Sequence, residues 1–135
     1  MSPRFLLDTN TISILALNRS KGADKRFVET SLDRVYTSAI VYGEILFGLE
    51  RRPEKTRLRD TVLPLLAEIR ILDWTSKSGV TYATLRAQME QSGKSLQPLD
   101  MLIAAHALEA GATLVTNDRA FRHVPGLEID DWTAE

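Results

Sequence analysis

The chain has 135 residues, with 17 basic and 18 acidic side chains, a formal net charge of −1 and no cysteine. This length is typical of one domain with its own hydrophobic core, so we expect a single domain over residues 1–135. The lack of cysteine excludes disulfide frameworks, cysteine-based zinc sites, iron–sulfur clusters and thiol catalysis, and 2 histidines are too few for a histidine-rich metal site.

The first half of the chain alternates short apolar runs with helical segments. Residues 4–8 form a non-alternating apolar run, as expected for a strand covered on both faces, and the run is too short for a signal peptide. Asp8, Thr9 and Asn10 offer side chains that cap the next helix. Pro64 should kink or break the last helix of this half. The other elements expected here are a charged helix over residues 21–32, a strand over 35–37 and helices over 38–51 and 53–69.

The second half continues the same alternation. Pro98 suits the first residue of a helix, and Gly93 and Gly111 suit helix ends. The expected elements are strands over residues 70–73, 112–116 and 127–129 and helices over 76–91 and 98–110. This order predicts an α/β fold, a three-layer α/β/α sandwich with a short, mostly parallel central sheet. No stretch approaches the roughly 20 apolar residues of a membrane span, so we expect a cytoplasmic protein without a membrane partner.

Two aspartates occupy places where parallel sheets carry their sites, outside the carboxyl ends of strands, and a third lies at the start of a helix. Asp8 ends the first strand, Asp118 follows the fourth, and Asp100 lies in the first turn of a helix that is otherwise apolar. Each has a simpler explanation, because Asp8 and Asp118 could be helix caps and Asp100 could favour the positive end of its helix.

Glu44 has no such explanation, because it lies in the middle of the helix predicted over residues 38–51. It is four residues after Ile40 and three after Val41, so it points with the apolar stripe of that helix. Glutamate is almost never fully buried without a partner. A rotation that places Glu44 at the exposed edge of the stripe is the alternative.

Carboxylates that converge on one pocket repel each other unless a cation is present. A site built only from oxygen ligands suits Mg²⁺ or Mn²⁺. Two such ions about 3.5–4 Å apart activate water and stabilise the leaving oxygen in phosphodiester cleavage, and a single ion is the other arrangement. The four acids would then be ligands or a water-positioning base.

Sequence motifs in a fixed order surround all four acids. They are Leu6-Leu-Asp-Thr-Asn10, Ser38-Ala-Ile-Val-Tyr-Gly-Glu44, Pro98-Leu-Asp100 with Leu102-Ile-Ala-Ala-His-Ala-Leu108, and Gly111-Ala-Thr-Leu-Val-Thr-Asn-Asp118. With this set the sequence resembles the PIN-domain ribonucleases of the VapC toxin type. The resemblance implies a PIN-like domain, Mg²⁺-dependent endoribonuclease activity as the toxin of a type II toxin–antitoxin pair, a cognate antitoxin and a homodimer.

The resemblance also assigns site residues. Asp8, Glu44 and Asp100 match the acidic triad of the family, and Asp118 matches a fourth position that is often Asp but can be Asn. Polar positions that line such sites match Asn10, Ser38 and Thr116, which could equally be caps or strand-end hydrogen-bonding groups. His106 follows Asp100 by six residues, about 240° around the helix, so we interpret it as a structural histidine.

An RNA substrate requires basic residues near the acids. Arg119 and Arg122 are the strongest candidates because they follow Asp118, and Arg19 and Lys21 are further candidates. The charge is asymmetric, since residues 1–60 carry 11 basic and 8 acidic side chains, or +3, and residues 61–135 carry 6 and 10, or −4. Such asymmetry hints at a charged partner, although these residues could also form an ordinary solvated face.

The helix over residues 38–51 also carries apolar residues outside its core stripe, namely Tyr42, Leu46 and Phe47. A helix that is apolar on two faces is buried twice or presents a partner surface, here a dimer mate or an antitoxin segment. For the whole chain, the alternative function is a PIN-like module that binds RNA or protein without cleavage. A phosphoacceptor domain needs a second acid near the first strand and a late lysine, which this chain lacks.

Overall fold

The computed structural model describes residues 3–134, and a five-stranded sheet lies at its centre. The strands are Phe5–Leu7 (β1), Val35–Ser38 (β2), Arg70–Leu72 (β3), Thr113–Val115 (β4) and Ile129–Asp130 (β5). Their order is β3-β2-β1-β4-β5, and every neighbouring pair is parallel. The prediction of an α/β fold with a short, mostly parallel sheet is confirmed. Residues 1, 2 and 135, at the ends of the predicted domain, lie outside the described residues.

The helices form two layers around this sheet. They are Thr9–Ala16 (α1), Lys21–Glu29 (α2), Ala39–Arg51 (α3), Thr56–Glu68 (α4), Ser76–Gln91 (α5) and Pro98–Ala110 (α6). Helix α1 contacts α2, α3 and α4, and α5 packs along α6. From β1 the chain passes to β2 and β3 at one side of the sheet and then crosses back to β4 on the other side of β1. Because such crossovers are right-handed, the helices between β1 and β3 lie on one face of the sheet and the helices between β3 and β4 lie on the opposite face. None of the helices within the described residues is both long and apolar enough to span a membrane.

Three features of the helices differ from the sequence prediction, and one of them is that α4 begins at Thr56 instead of residue 53. The expected break at Pro64 is wrong, because α4 continues through this residue. Pro64 is exposed, whereas Val62 and Leu66 on the opposite face are buried in the core. Burial of that apolar stripe is worth several kcal/mol, of the order of the roughly 3 kcal/mol that a proline costs inside a helix. The charged helix α2 ends at Glu29, earlier than predicted.

The sheet order creates a topological switch point between β1 and β4. From β1 the chain leaves toward β2, and the return connection places β4 on the other side of β1. The backbone of Asp8, directly after β1, donates a hydrogen bond of 3.1 Å to the Val115 carbonyl of β4. Side chains that follow β1 and β4 therefore meet at one edge of the sheet, where ligand sites of open parallel sheets usually lie.

Candidate active site

A cleft of about 280 Å³ opens at the switch point, and four acidic side chains line it. Asp8 follows β1, Glu44 lies on α3, Asp100 lies in the first turn of α6, and Asp118 follows β4. The structure thus brings together all four acids singled out from the sequence. The rest of the lining consists of Thr9, Asn10, Ile103, Asn117 and Phe121.

Asp8 lies deepest of the four, with 6% of its surface exposed. Its Oδ1 accepts a hydrogen bond of 2.8 Å from the backbone amide of Thr11, so it caps α1 as well as lining the cleft. Burial raises the pKa of the Asp8 carboxyl, hydrogen bonds from Thr116 and Thr11 oppose this rise, and the negative charge of Asp118 adds to it. The capping and site interpretations of Asp8 are therefore compatible, because a carboxylate has two oxygens.

Glu44 reaches the cleft from the side of α3 next to its buried stripe. Val41, Ile45 and Leu49 are buried in the core, and Glu44 beside them is half-buried. Its Oε1 accepts a hydrogen bond of 2.8 Å from the hydroxyl of Thr9. The sequence identifies Thr9 only as a candidate helix cap, although its position between Asp8 and Asn10 is a signal for a role in the site.

Asp100 shows that the four carboxylates interact. Burial raises the pKa of its half-buried carboxyl, and the negative charges of Asp118, Glu44 and Asp8 raise this pKa further, in that order. Each of the other three acids is close enough to disfavour the ionised form of Asp100. The cleft therefore has a negative potential that favours a cation.

The three predicted auxiliary polar residues have different positions. Asn10 lines the cleft and donates a hydrogen bond of 2.9 Å to the side-chain oxygen of Asn117 across its mouth. Thr116 is buried beneath the cleft, and its hydroxyl accepts a hydrogen bond of 3.0 Å from the Asp118 amide. Ser38 is not part of the lining, because its buried hydroxyl caps α3 by accepting a hydrogen bond from the Ile40 amide.

The predicted basic residues also separate into two groups. Arg119 and Arg122 line a groove that shares Asn117 and Asp118 with the cleft, so the two depressions are adjacent. Arg119 and Arg122 lie on a short 3₁₀ segment, Arg119–His123, and Asp118 caps that segment through the Ala120 amide. Both Arg19 and Lys21 are exposed at the junction of α1 and α2, at the end of α1 remote from Asp8.

The proposed partner surface on α3 is only partly open. Tyr42 and Leu46 are half-buried and pack against the core. Phe47 is 62% exposed, and the guanidinium of Arg51 lies 5.5 Å from the centre of its ring. Of the three predicted residues, Phe47 is the one that offers a large apolar surface.

The donor set of the cleft fits a hard divalent cation. Carboxylates are the side chains that Mg²⁺ prefers, and this ion usually keeps several waters beside one or two carboxylates. Within residues 3–134, no three Asp, Glu or His side chains are already arranged to hold an ion. The residues that would hold the ion are Asp8, Glu44, Asp100 and Asp118.

Comparisons with known proteins agree on one family. The family model described as the PIN domain matches residues 5–127. The chain is 30% identical to the tRNA(fMet)-specific endonuclease VapC of Salmonella typhimurium, over 96% of this chain and 98% of the relative. It is 34% identical to the VapC ribonuclease Y4jK of Sinorhizobium fredii, over 92% and 94%.

Solved structures give the same result. The chain matches the DNA-bound VapBC structure from Salmonella typhimurium with a TM-score of 0.88 and 30% identity, over 97% of this chain and 99% of the other. It matches VapBC2 of Rickettsia felis, bound to a DNA fragment from its promoter, with a TM-score of 0.83 and 26% identity, over 93% and 96%. The likeness in fold therefore extends over nearly the whole chain.

Proposed function

The chain belongs to the PIN-domain family and, within it, to the VapC ribonucleases, and we propose that it is a metal-dependent endoribonuclease that acts as the toxin of a type II toxin–antitoxin pair. One observation carries the proposal. Four carboxylates from four separate elements line one cleft at the switch point of the sheet. Such a cluster raises the pKa of its own members, as at Asp8 and Asp100, and this repulsion is relieved by a cation.

The side chains of the cleft divide the work of binding the ion. Asp8 would be its most fixed ligand, because the Thr11 amide holds one of its oxygens and the surrounding protein buries the carboxylate. Glu44 would direct its second oxygen toward the ion or a water ligand, because Thr9 occupies the first. A bound Mg²⁺, or Mn²⁺ in its place, supplies activation of a water molecule and stabilisation of the leaving oxygen in phosphodiester hydrolysis.

We propose that RNA enters along the groove beside Asp118. Arg119 and Arg122 line this groove, which is adjacent to the cleft and shares Asn117 and Asp118 with it. Arginine pairs well with phosphate oxygens, so these two residues would hold the RNA backbone next to the scissile phosphodiester. Arg19 and Lys21 lie at the remote end of α1 and would contact only a longer RNA.

The proposed protein partners are a cognate antitoxin and a second copy of the chain, in the cytoplasm. The relatives of known structure named above are VapBC complexes. Phe47 is a suitable contact residue, because an exposed phenyl ring on a helix is stabilised when a partner covers it. Copurification of a small protein would identify the antitoxin, whereas a concentration-dependent dimer that Phe47→Ser abolishes would identify the second copy.

The central experiment is an RNA cleavage assay with mapped ends. We expect cleavage with Mg²⁺ or Mn²⁺ and none with EDTA. Groups that only orient metal ligands contribute 10–100-fold, so Asp8→Asn and Asp100→Asn should each reduce the rate at least about 100-fold. Glu90→Gln is the matched control, because Glu90 is an exposed acid on α5, outside the cleft.

The same assay separates the enzyme from its alternative. A wild-type chain that binds RNA but cleaves none with any divalent ion would indicate a PIN-like binding module. Full cleavage by a folded Asp8→Asn, Asp100→Asn double variant would also contradict the proposal. Thermal unfolding of each variant shows whether lost cleavage reflects lost folding.

A further inference from the structure

One buried histidine outside the cleft connects three segments of the fold. His106 is 1% exposed and lies on α6. Its Nδ1 is 2.7 Å from the hydroxyl oxygen of Ser38, and its Nε2 is 3.1 Å from the backbone oxygen of Asp73. The ring also packs edge-on against Trp74, with 5.4 Å between ring centres. Both ring nitrogens therefore have a partner in the protein.

The partners fix the tautomer of this ring. The Asp73 carbonyl can only accept, so Nε2 carries the proton and donates it to that oxygen. Nδ1 then accepts from the hydroxyl of Ser38, whose oxygen in turn accepts a hydrogen bond of 2.9 Å from the Ile40 amide. Burial lowers the pKa of His106, which agrees with a neutral ring. All three hydrogen bonds are therefore donated in the same direction, from the Ile40 amide of α3 to Ser38, from Ser38 to His106, and from His106 to the Asp73 carbonyl after β3.

This network joins the two helices that carry half of the cleft's carboxylates. Ser38 caps α3, which bears Glu44, and His106 lies on α6, which bears Asp100. Each of the two joined residues is six positions from its carboxylate, or about 9 Å along a helix. The helices α3 and α6 also contact each other directly. A shift at the Ser38–His106 hydrogen bond would therefore change the distance between Glu44 and Asp100.

We propose that His106 is a positioning residue that sets the separation of Glu44 and Asp100 through Ser38, and thereby sets the affinity of the cleft for a divalent cation. This inference rests on the proposed function, in which the carboxylates of the cleft hold that cation. An apolar side chain of similar volume would fill the same space but leave the Ser38 hydroxyl and the Asp73 carbonyl without their partner. Groups that orient metal ligands contribute 10–100-fold to affinity.

The test measures Mn²⁺ affinity by titration calorimetry on the purified full chain, without RNA. His106→Asn keeps an acceptor at the position of Nδ1, whereas His106→Gln keeps a donor near the position of Nε2 and loses the acceptor for Ser38. We expect His106→Gln to weaken Mn²⁺ binding about 10–100-fold and His106→Asn to weaken it much less. Ser38→Ala should weaken binding as His106→Gln does.

Ser20→Ala is the matched control for lost stability. The Ser20 hydroxyl caps α2 by accepting a hydrogen bond of 3.1 Å from the Ala23 amide. Ser20→Ala and Ser38→Ala should each lower the free energy of unfolding by about 1 kcal/mol through loss of a helix cap. Only Ser38→Ala should change the Mn²⁺ affinity. The inference would be overturned if Ser38→Ala and His106→Gln bound Mn²⁺ with wild-type affinity. It would also be overturned if His106→Asn and His106→Gln weakened Mn²⁺ binding equally. A wild-type chain that binds no Mn²⁺ would instead show that the proposed function is wrong, and the inference with it.

Discussion

Thr9 donates a hydrogen bond of 2.8 Å to the carboxylate of Glu44. The bond connects the first turn of α1 to α3, and the two residues are 35 positions apart in the chain. It occupies Oε1 of Glu44, and within residues 3–134 the other oxygen accepts no hydrogen bond. The orientation of this carboxylate therefore depends on a hydroxyl group next to Asp8.

Thr9→Val replaces that hydroxyl with a methyl group of similar size. We expect RNA cleavage to fall about 10–100-fold, the usual effect of losing a group that orients a metal ligand. Thr9→Ser keeps the hydroxyl and should retain most of the activity, which single-turnover cleavage rates would measure. Equal activity of the Val and Ser variants would show that the hydrogen bond does not orient Glu44.

The raised pKa of Asp8 makes the stability of the metal-free protein depend on pH. Burial is the main cause, so ionised Asp8 destabilises the folded state above the unfolded-state value near 3.8. Between 3.8 and the raised pKa the folded state binds more protons, and stability falls as the pH rises. Asp8→Asn removes this charge and keeps the cap of α1, because Asn is an equally good cap. We expect a melting temperature a few degrees above wild type at pH 7.

Urea unfolding from pH 4 to pH 7, without divalent ions, measures this effect. The advantage of Asp8→Asn should widen as the pH rises and narrow toward pH 4, where the raised pKa keeps more of Asp8 protonated in the folded state. Asp60→Asn, at an exposed acid on α4, is the control and should show no such trend. An Asp8→Asn curve parallel to wild type at every pH would contradict the prediction.

Arg119→Ala and Arg122→Ala should weaken RNA binding more than they slow the bound reaction. Both arginines line the groove but not the carboxylate cleft, so we expect a higher KM with a similar kcat. Each lost phosphate contact should reduce the slope of log K against log salt by about 0.7 for a single strand. Arg57→Ala, on the exposed surface of α4, is the control for net charge. If the Arg119→Ala, Arg122→Ala double variant had the same slope of log K against log salt as the wild type, neither arginine would contact phosphate.

Pro64→Ala should stabilise the protein. Pro64 is exposed inside α4 and cannot donate the amide hydrogen bond of an ordinary helical residue. Alanine restores that bond, with an expected gain of about 1–2 kcal/mol after allowing for the more flexible unfolded chain. Denaturant unfolding measures the stability of Pro64→Ala. Pro53→Ala, at an exposed turn position, is the control. No greater stability in Pro64→Ala than in Pro53→Ala would contradict the prediction.

Local signals in the sequence were sufficient for most of the fold. Pro98 begins α6, and Gly111 ends it in the left-handed conformation with a φ of 64°. Ser38 caps α3 as its position suggests. Such signals act within a few residues, so they can be read without tertiary contacts. The continuation of α4 through Pro64 could not be predicted from such signals, because it depends on the burial of the opposite face of the helix.

The site was predictable in its acids but not in its supporting contacts. The ends of parallel strands meet at one edge, so Asp8 and Asp118 could be placed there from their positions directly after predicted strands. The hydrogen bonds of Thr9 with Glu44 and of His106 with Ser38 depend on how helices pack against each other. Short-range patterns contain no information on such packing.

The pairing of β1 with β4 has a consequence for the synthesis of the chain. It aligns Leu7 with Val115, so the central strand and one of its two neighbours come from opposite ends of the sequence. Asp118, the last of the four acids to be translated, follows β4. A ribosome must therefore complete most of the polypeptide before the four carboxylates can come together in one cleft.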